Sequence, residues 1–155
     1  MELLHRQESE RVIGLVFDVR NKMGGGWSEE IYHWALYQSL LENDIPTLFK
    51  SHKPLVHRGT MIYTFEPDLI VWDKVVLELK VLPKFRGKRF PPINEAQTIH
   101  YLKHFKKDLG ILVNFAHAKV GLKRIVYQPP AMNKDEDYER IKSCLDEQDK
   151  VVLRE

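Results

Sequence analysis

Two acids and a lysine stand at the ends of neighbouring apolar segments in Glu66-Pro67-Asp68-Leu-Ile-Val-Trp-Asp-Lys-Val-Val-Leu-Glu78-Leu79-Lys80. Charge on strands this hydrophobic is costly to bury, so it calls for a partner or an ion. Glu78 and Lys80 are two apart and project from one face of an extended strand. Asp68 joins them only if the intervening turn has the right length. A two-residue loop at Asp73-Lys74 pairs Asp68 with Leu79 and turns its side chain away. A three-residue loop, Trp72-Asp73-Lys74, pairs Val71 with Val75 and Asp68 with Glu78. It also gathers Leu69, Val71, Val75, Leu77 and Leu79 on the opposite face. Core and charges are satisfied together, so this is the predicted register. Two converging carboxylates suit a hard cation such as Mg²⁺. Such an ion acidifies a bound water and stabilises charge on a phosphate in transfer. Lys80 would hold the attacking water or offset phosphoryl charge. A structural lysine–acid cluster at a sheet end is the other reading of this triplet.

The surrounding chain must position these residues. Apolar residues from Leu4 to Val19 recur at helical spacing and predict a helix from about His5 to Met23, stopped by Gly24-Gly25-Gly26. Ser28 is the expected N-cap of a second helix, with Glu29 and Glu30 in its first turn and its end near Asn43. A loose strand over 47–57 follows, then strands over 60–72 and 75–82. A basic, proline-containing loop covers 83–94. A helix from about Asn94 to Lys106, strands near 109–115 and 122–127, and a charged helix near 134–148 complete the order ααβββαββα. This predicts an α/β (α+β) fold with a mixed central sheet flanked by helices. The expected division is a domain over 1–130 and a helical extension over 131–155.

Composition narrows the class without naming an activity. The 155 residues suffice for one core, and 30% charged with 43% apolar residues excludes intrinsic disorder. A net charge of +2 is too small to diagnose nucleic-acid binding, so any electropositive surface must be local. The single cysteine, Cys144, excludes an internal disulfide framework and a cysteine-cluster zinc site. With no signal-like or membrane-length apolar run, a reduced, cytoplasmic protein with no membrane partner is expected.

The spacing Pro67-Asp68, ten residues, Glu78-x-Lys80 resembles the motif of the PD-(D/E)XK nuclease superfamily. Gly26-Trp27-Ser28-Glu29-Glu30-Ile31-Tyr32 resembles the G-x-x-E-x-x-Y of its small GxxExxY branch. Glu95-Ala96-Gln97 followed by Tyr101 resembles the Q-x-x-x-Y helix shared with RecB-like and Cas4-like nucleases. Asn114-Phe115 and Lys123-Arg124-Ile125-Val126 resemble the branch's last strands. The resemblance covers roughly residues 10–127, in the family's order. It implies a restriction-endonuclease-like core and hydrolysis of nucleic-acid phosphodiesters, DNA before RNA, with Mg²⁺ or Mn²⁺ as cofactor. It further implies Asp68, Glu78 and the Leu79 carbonyl as metal ligands, Lys80 as catalytic, and Glu29 reaching the metal directly or through water. Gln97 and Tyr101 would orient Lys80, a water or the substrate backbone. Departures fall at Arg20, where many relatives carry histidine, and at Gly24-Gly25-Gly26 in place of a GPG turn. Non-catalytic nucleic-acid binding and a protein-interaction role on the same fold are the alternatives.

Other residues carry weaker signals. Glu29 alone would be a helix-dipole acid, and Tyr32 reads as a packing residue. Lys84, Arg86, Lys88 and Arg89, interleaved with Phe85 and Phe90, read either as a solvated loop or as a surface for phosphates and unpaired bases. His100 and His104 have the spacing of a zinc pair but no evident third ligand. Trp27, Trp34 and Trp72 are expected in or near the core. The extension 131–155 is a candidate contact for a second copy or a protein partner.

Overall fold

Strand pairing at the centre is set by a tight turn. In the computed structural model, which describes residues 4–128 and 143, β4 (Leu69–Val71) meets β5 (Val75–Lys80) with Val71 opposite Val75 and Leu69 opposite Leu77. The turn is therefore the three-residue one. Trp72 and Asp73 both take positive φ, 50° and 53°, uncommon for such side chains. Hydrogen bonds hold them there, from Trp72 N–H to the Pro46 carbonyl (2.8 Å) and from Lys74 N–H to the Val71 carbonyl (3.0 Å).

The described chain runs α1 (Arg6–Met23), α2 (Glu29–Glu42), β1 (Thr47–Phe49), β2 (Lys53–His57), β3 (Thr60–Phe65), β4, β5, α3 (Pro92–Phe105), β6 (Leu109–Asn114) and β7 (Gly121–Val126). Five strands form one mixed sheet in the order β1-β4-β5-β6-β7. Only β5 and β6 are parallel, and α3 provides the crossover that a parallel pair requires. The alternation of β4 and β5 sends Leu69, Val71, Val75, Leu77 and Leu79 to one side, against Val12 and Val16 of α1 and Tyr32, Leu36 and Leu40 of α2. Ile70 and Val76 face the other side, against Ala96, Ile99 and Leu102 of α3. The absence of a side chain at Gly110 lets α3 approach, since a Cβ there would lie 2.6 Å from Thr98 Cγ2.

Two expected strands divide. The segment 47–57 breaks at Lys50, where φ is 49°, and 60–72 breaks at Glu66-Pro67-Asp68. Proline has no N–H for a ladder, and the N–H of Asp68 is taken by a side chain. The outer halves, β2 and β3, leave the sheet and pair only with each other. Helix α3 begins at Pro92, earlier than the expected Asn94, with proline in its first turn where no N–H is needed. The helix expected near 134–148, and with it the 131–155 extension, lies outside the described residues apart from Ser143.

The loop after β5 is pinned by one buried amide. Asn114 Oδ1 accepts from Leu82 N–H (2.8 Å) and Ala116 N–H (3.1 Å), and its Nδ2 donates to the carbonyls of Leu82 (3.0 Å) and Phe85 (3.1 Å). Removing it leaves several backbone groups without partners. Asn114→Leu should cost on the order of 3 kcal/mol in urea unfolding; a loss under about 0.5 kcal/mol would refute this role.

Candidate active site

Local order around α2 begins with Ser28, whose side chain caps the helix by accepting from Ile31 N–H, as expected. Gly24 ends α1 at φ 74°, a conformation suited to glycine. Tyr32 is fully buried, stacked on Phe115 at 4.5 Å, and its hydroxyl donates to the Gly24 carbonyl (2.6 Å). That phenol ties helix, turn and sheet together, which fits a packing role. Arg20 supports the same corner from below, donating to the Phe115 carbonyl (3.0 Å) and lying under Gly25, where a Cβ would meet its guanidinium.

At the end of β5 each of the two acids accepts from a backbone N–H of the facing segment. Asp68 N–H donates to Glu78 Oε1 (2.9 Å), and Leu79 N–H donates to Asp68 Oδ2 (2.7 Å). Glu78 is only 2% exposed. Burial, then the Asp68 charge, hold its carboxyl well above the ordinary carboxylate range; the Asp68 N–H, Lys80 and, in the opposite sense, Glu29 modify this. Lys80 Nζ lies 4.0 Å from Glu29 Oε1 across the gap between β5 and α2.

A histidine completes the constellation. His33, one turn after Glu29, is buried with 6% of its side chain exposed. Its Nε2 is 3.2 Å from Asp68 Oδ2 and 3.9 Å from Glu29 Oε1, yet neither ring nitrogen has a hydrogen-bond partner. Donor atoms of Glu29, His33 and Asp68 all lie within 4.8 Å of one another. A buried imidazole that makes no hydrogen bond, beside two carboxylates, fits a divalent cation, and Glu78 adjoins the trio through Asp68. The motif reading missed His33; the Glu29-x-x-x-His33 spacing, two potential ligands one helical turn apart, was the available signal.

Helix α3 lies on the other side of the acids. Gln97 Nε2 donates to the Tyr101 hydroxyl (3.0 Å), so these two act as one unit. Burial, then the nearby Glu78 and Asp68, keep Tyr101 protonated far above neutral pH. In the loop after β5, Lys84, Arg86, Lys88 and Arg89 are all exposed. Phe90, offered as a base-stacking ring, is instead buried in the core beneath α3, so it anchors the loop. His100 and His104 form no zinc site with a third ligand among the described residues; His104 packs on Phe65 at 4.7 Å with its Nε2 3.2 Å from the Pro54 carbonyl. Trp27 and Trp34 are exposed rather than core; Trp27 stays on the surface through its Nε1 bond to the Met23 carbonyl (2.7 Å), and Trp34 packs there on Phe49 at 4.5 Å.

A profile of the PD-(D/E)XK nuclease superfamily matches residues 6–125. The chain belongs to that superfamily. PD-(D/E)XK nucleases use divalent metals, which the clustered donors at Asp68 suit, and their substrate class is nucleic acid. A solved structure described as "Crystal structure of SSO0001" shares the fold, with a TM-score of 0.53 at 19% identity over 81% of this chain. The chain spans 58% of that protein's length. None of the curated proteins matches. No helix among the described residues is long and apolar enough to cross a membrane.

The raised Glu78 carboxyl has a consequence for stability without metal. The folded state binds this proton more tightly than the unfolded chain does, so stability falls as pH rises from about 4.5 through the folded value. Glu78→Gln should raise the metal-free melting temperature near pH 8 and leave it almost unchanged near pH 4. A lower melting temperature for the variant at both pH values would contradict this account.

Proposed function

We propose that this protein is a Mg²⁺- or Mn²⁺-dependent deoxyribonuclease of the GxxExxY branch, related to RecB-like and Cas4-like nucleases. The observation that carries the reading is the buried His33 without a hydrogen-bond partner, within 4.8 Å of donor atoms on Glu29 and Asp68 and next to the Asp68–Glu78 pair. Asp68, His33, Glu78 and Glu29 would hold the ion, Glu29 directly or through a water. The Leu79 carbonyl would be a further ligand. Extending the β4–β5 register by two residues sets Pro67 opposite Leu79, and proline has no N–H to offer that carbonyl.

A cation bound there supplies the charge that acidifies a water and offsets developing negative charge on the phosphate. Lys80, a donor only, steadies the attacking oxygen and a phosphoryl oxygen. Glu29, 4.0 Å from Lys80, is the acid within reach to accept the water's proton. Gln97 and Tyr101 act as a joined donor pair toward the substrate backbone. Lys84, Arg86, Lys88 and Arg89 neutralise phosphates flanking the cleaved one. The reading includes a cytoplasmic location.

Purified protein should nick or degrade DNA with Mg²⁺ or Mn²⁺, and Glu78→Ala or Asp68→Ala should lower the rate at least about a hundredfold. Excess chelator should stop the reaction. Full activity in either variant, or in chelator, sinks the mechanism. His33→Ala should weaken Mn²⁺ binding by roughly tenfold or more, read as a smaller Mn²⁺-dependent rise in melting temperature; an unchanged rise removes His33 from the site. Neutralising Lys84, Arg86, Lys88 and Arg89 together should flatten the slope of log affinity against log salt by up to about 3, and an identical slope would rule the loop out of phosphate contact.

A further inference from the structure

The β2–β3 hairpin, having left the main sheet, lies against α3. Lys53 Nζ donates to the His104 carbonyl (2.8 Å), and Phe65 meets Tyr101 edge-on at 6.1 Å. Between hairpin and helix is a cavity of about 300 Å³ lined by Tyr63, Phe65, Ile93, Ala96, Gln97, His100 and Tyr101. One wall, Gln97 and Tyr101, is the same helix face that borders the acids. Its other walls are aromatic and aliphatic, with Tyr63, 57% exposed, at the rim. Phe65 and His100 also line an adjoining hollow whose further residues include Lys53, Lys103 and Lys106 and no acid. An apolar chamber beside the phosphate site thus continues into a cationic one.

We infer that this groove takes a single strand of nucleic acid, with one unpaired base stacked in the Tyr63–Phe65 cavity next to the scissile phosphate and backbone phosphates along Lys53, Lys103 and Lys106. The inference rests on the nuclease reading and specifies its substrate. The chemistry matches part by part. Rings stack on a base of any identity, while the Gln97 amide oxygen is left to accept from a base edge. The lysines supply the charge complementarity that a purely apolar occupant would not need. A base paired within a duplex keeps its faces stacked and cannot enter, so the groove selects unpaired nucleotides. The cavity size is at the lower end of small-ligand sites, which suits one base rather than a folded partner element.

The experiment compares binding of a labelled oligothymidylate and a blunt duplex to the full chain in chelator, by fluorescence anisotropy. The wild-type protein should prefer the single strand. Tyr63→Ala should weaken that binding roughly tenfold, leave duplex affinity alone and leave the melting temperature unchanged, because the ring is exposed. Tyr63→Phe should restore it. An abasic position moved along the strand should cost wild-type protein a similar factor at one place, and cost Tyr63→Ala nothing further there. Equal affinity for duplex and single strand, or a silent Tyr63→Ala, overturns the proposal. So does a homodimer that Tyr63→Ala dissolves while strand binding persists, since the groove would then belong to a second copy. The two readings fail separately. Stacking without cleavage in any divalent cation removes only turnover, whereas cleavage with a silent Tyr63→Ala removes only the base site.

Discussion

Where the β4–β5 ladder ends, two backbone N–H groups would otherwise be left inside the protein without strand partners. The carboxylates of Glu78 and Asp68 take them, one each, in a reciprocal pair of bonds of 2.9 Å and 2.7 Å. Pro67 makes this necessary, because it stops β4 from continuing opposite Leu79. The arrangement then fixes both acids to backbone rather than to flexible side chains, so their oxygens converge with little freedom left to lose. Its cost is a carboxyl kept out of water beside a second acid: burial first, then the Asp68 charge, displaces Glu78 upward. A cation would relieve that strain while using the same preorganised oxygens. Structural and chemical demands meet in one contact, and the turn, the register and the cover of α2 and α3 all serve to keep it closed.

Much of this was legible in the sequence for a definite reason. The β4–β5 register followed from demanding that Leu69, Val71, Val75, Leu77 and Leu79 share a buried face, because a one-residue slip would invert every side chain. The same demand delivered Asp68 opposite Glu78. Helix caps at Ser28 and Gly24 were equally local and equally clear. Strand limits were not. Pro67 and the positive φ of Lys50 divide what composition presents as two continuous β-rich segments, and propensity alone does not say which half remains in the sheet. Phe90 was misjudged for a related reason: its neighbours Lys88 and Arg89 are exposed, and only the tertiary position of the loop shows that its ring turns inward.

His33 illustrates the other limit. It sits directly after the Tyr32 that completes the G-x-x-E-x-x-Y pattern, so attention to the pattern passed over it. Helical spacing from Glu29 already placed the two side chains on one face, but which face meets Asp68 depends on how α2 lies across β4 and β5. That is a matter of packing, decided by Tyr32, Leu36 and Leu40 entering the core. Once they do, His33 is carried to the border between core and acids, where burial denies it water.

The divided strand gives the fold its asymmetry. Had 60–72 continued as one strand, Tyr63 and Phe65 would extend the central sheet and the space above Gln97 and Tyr101 would be closed by it. The break at Glu66-Pro67-Asp68 instead sets Asp68 at its sheet-side end, facing Glu78 of β5, and frees the preceding residues to turn away as a hairpin. One short interruption therefore creates both the convergence of carboxylates and the aromatic cavity alongside them. Phe65 lies three residues from Asp68, so cavity and acids cannot drift far apart without breaking the contacts of Phe65 with Tyr101 and His104. A feature that weakens the sheet locally is what sets the paired acids and the aromatic cavity side by side, both bordered by Tyr101.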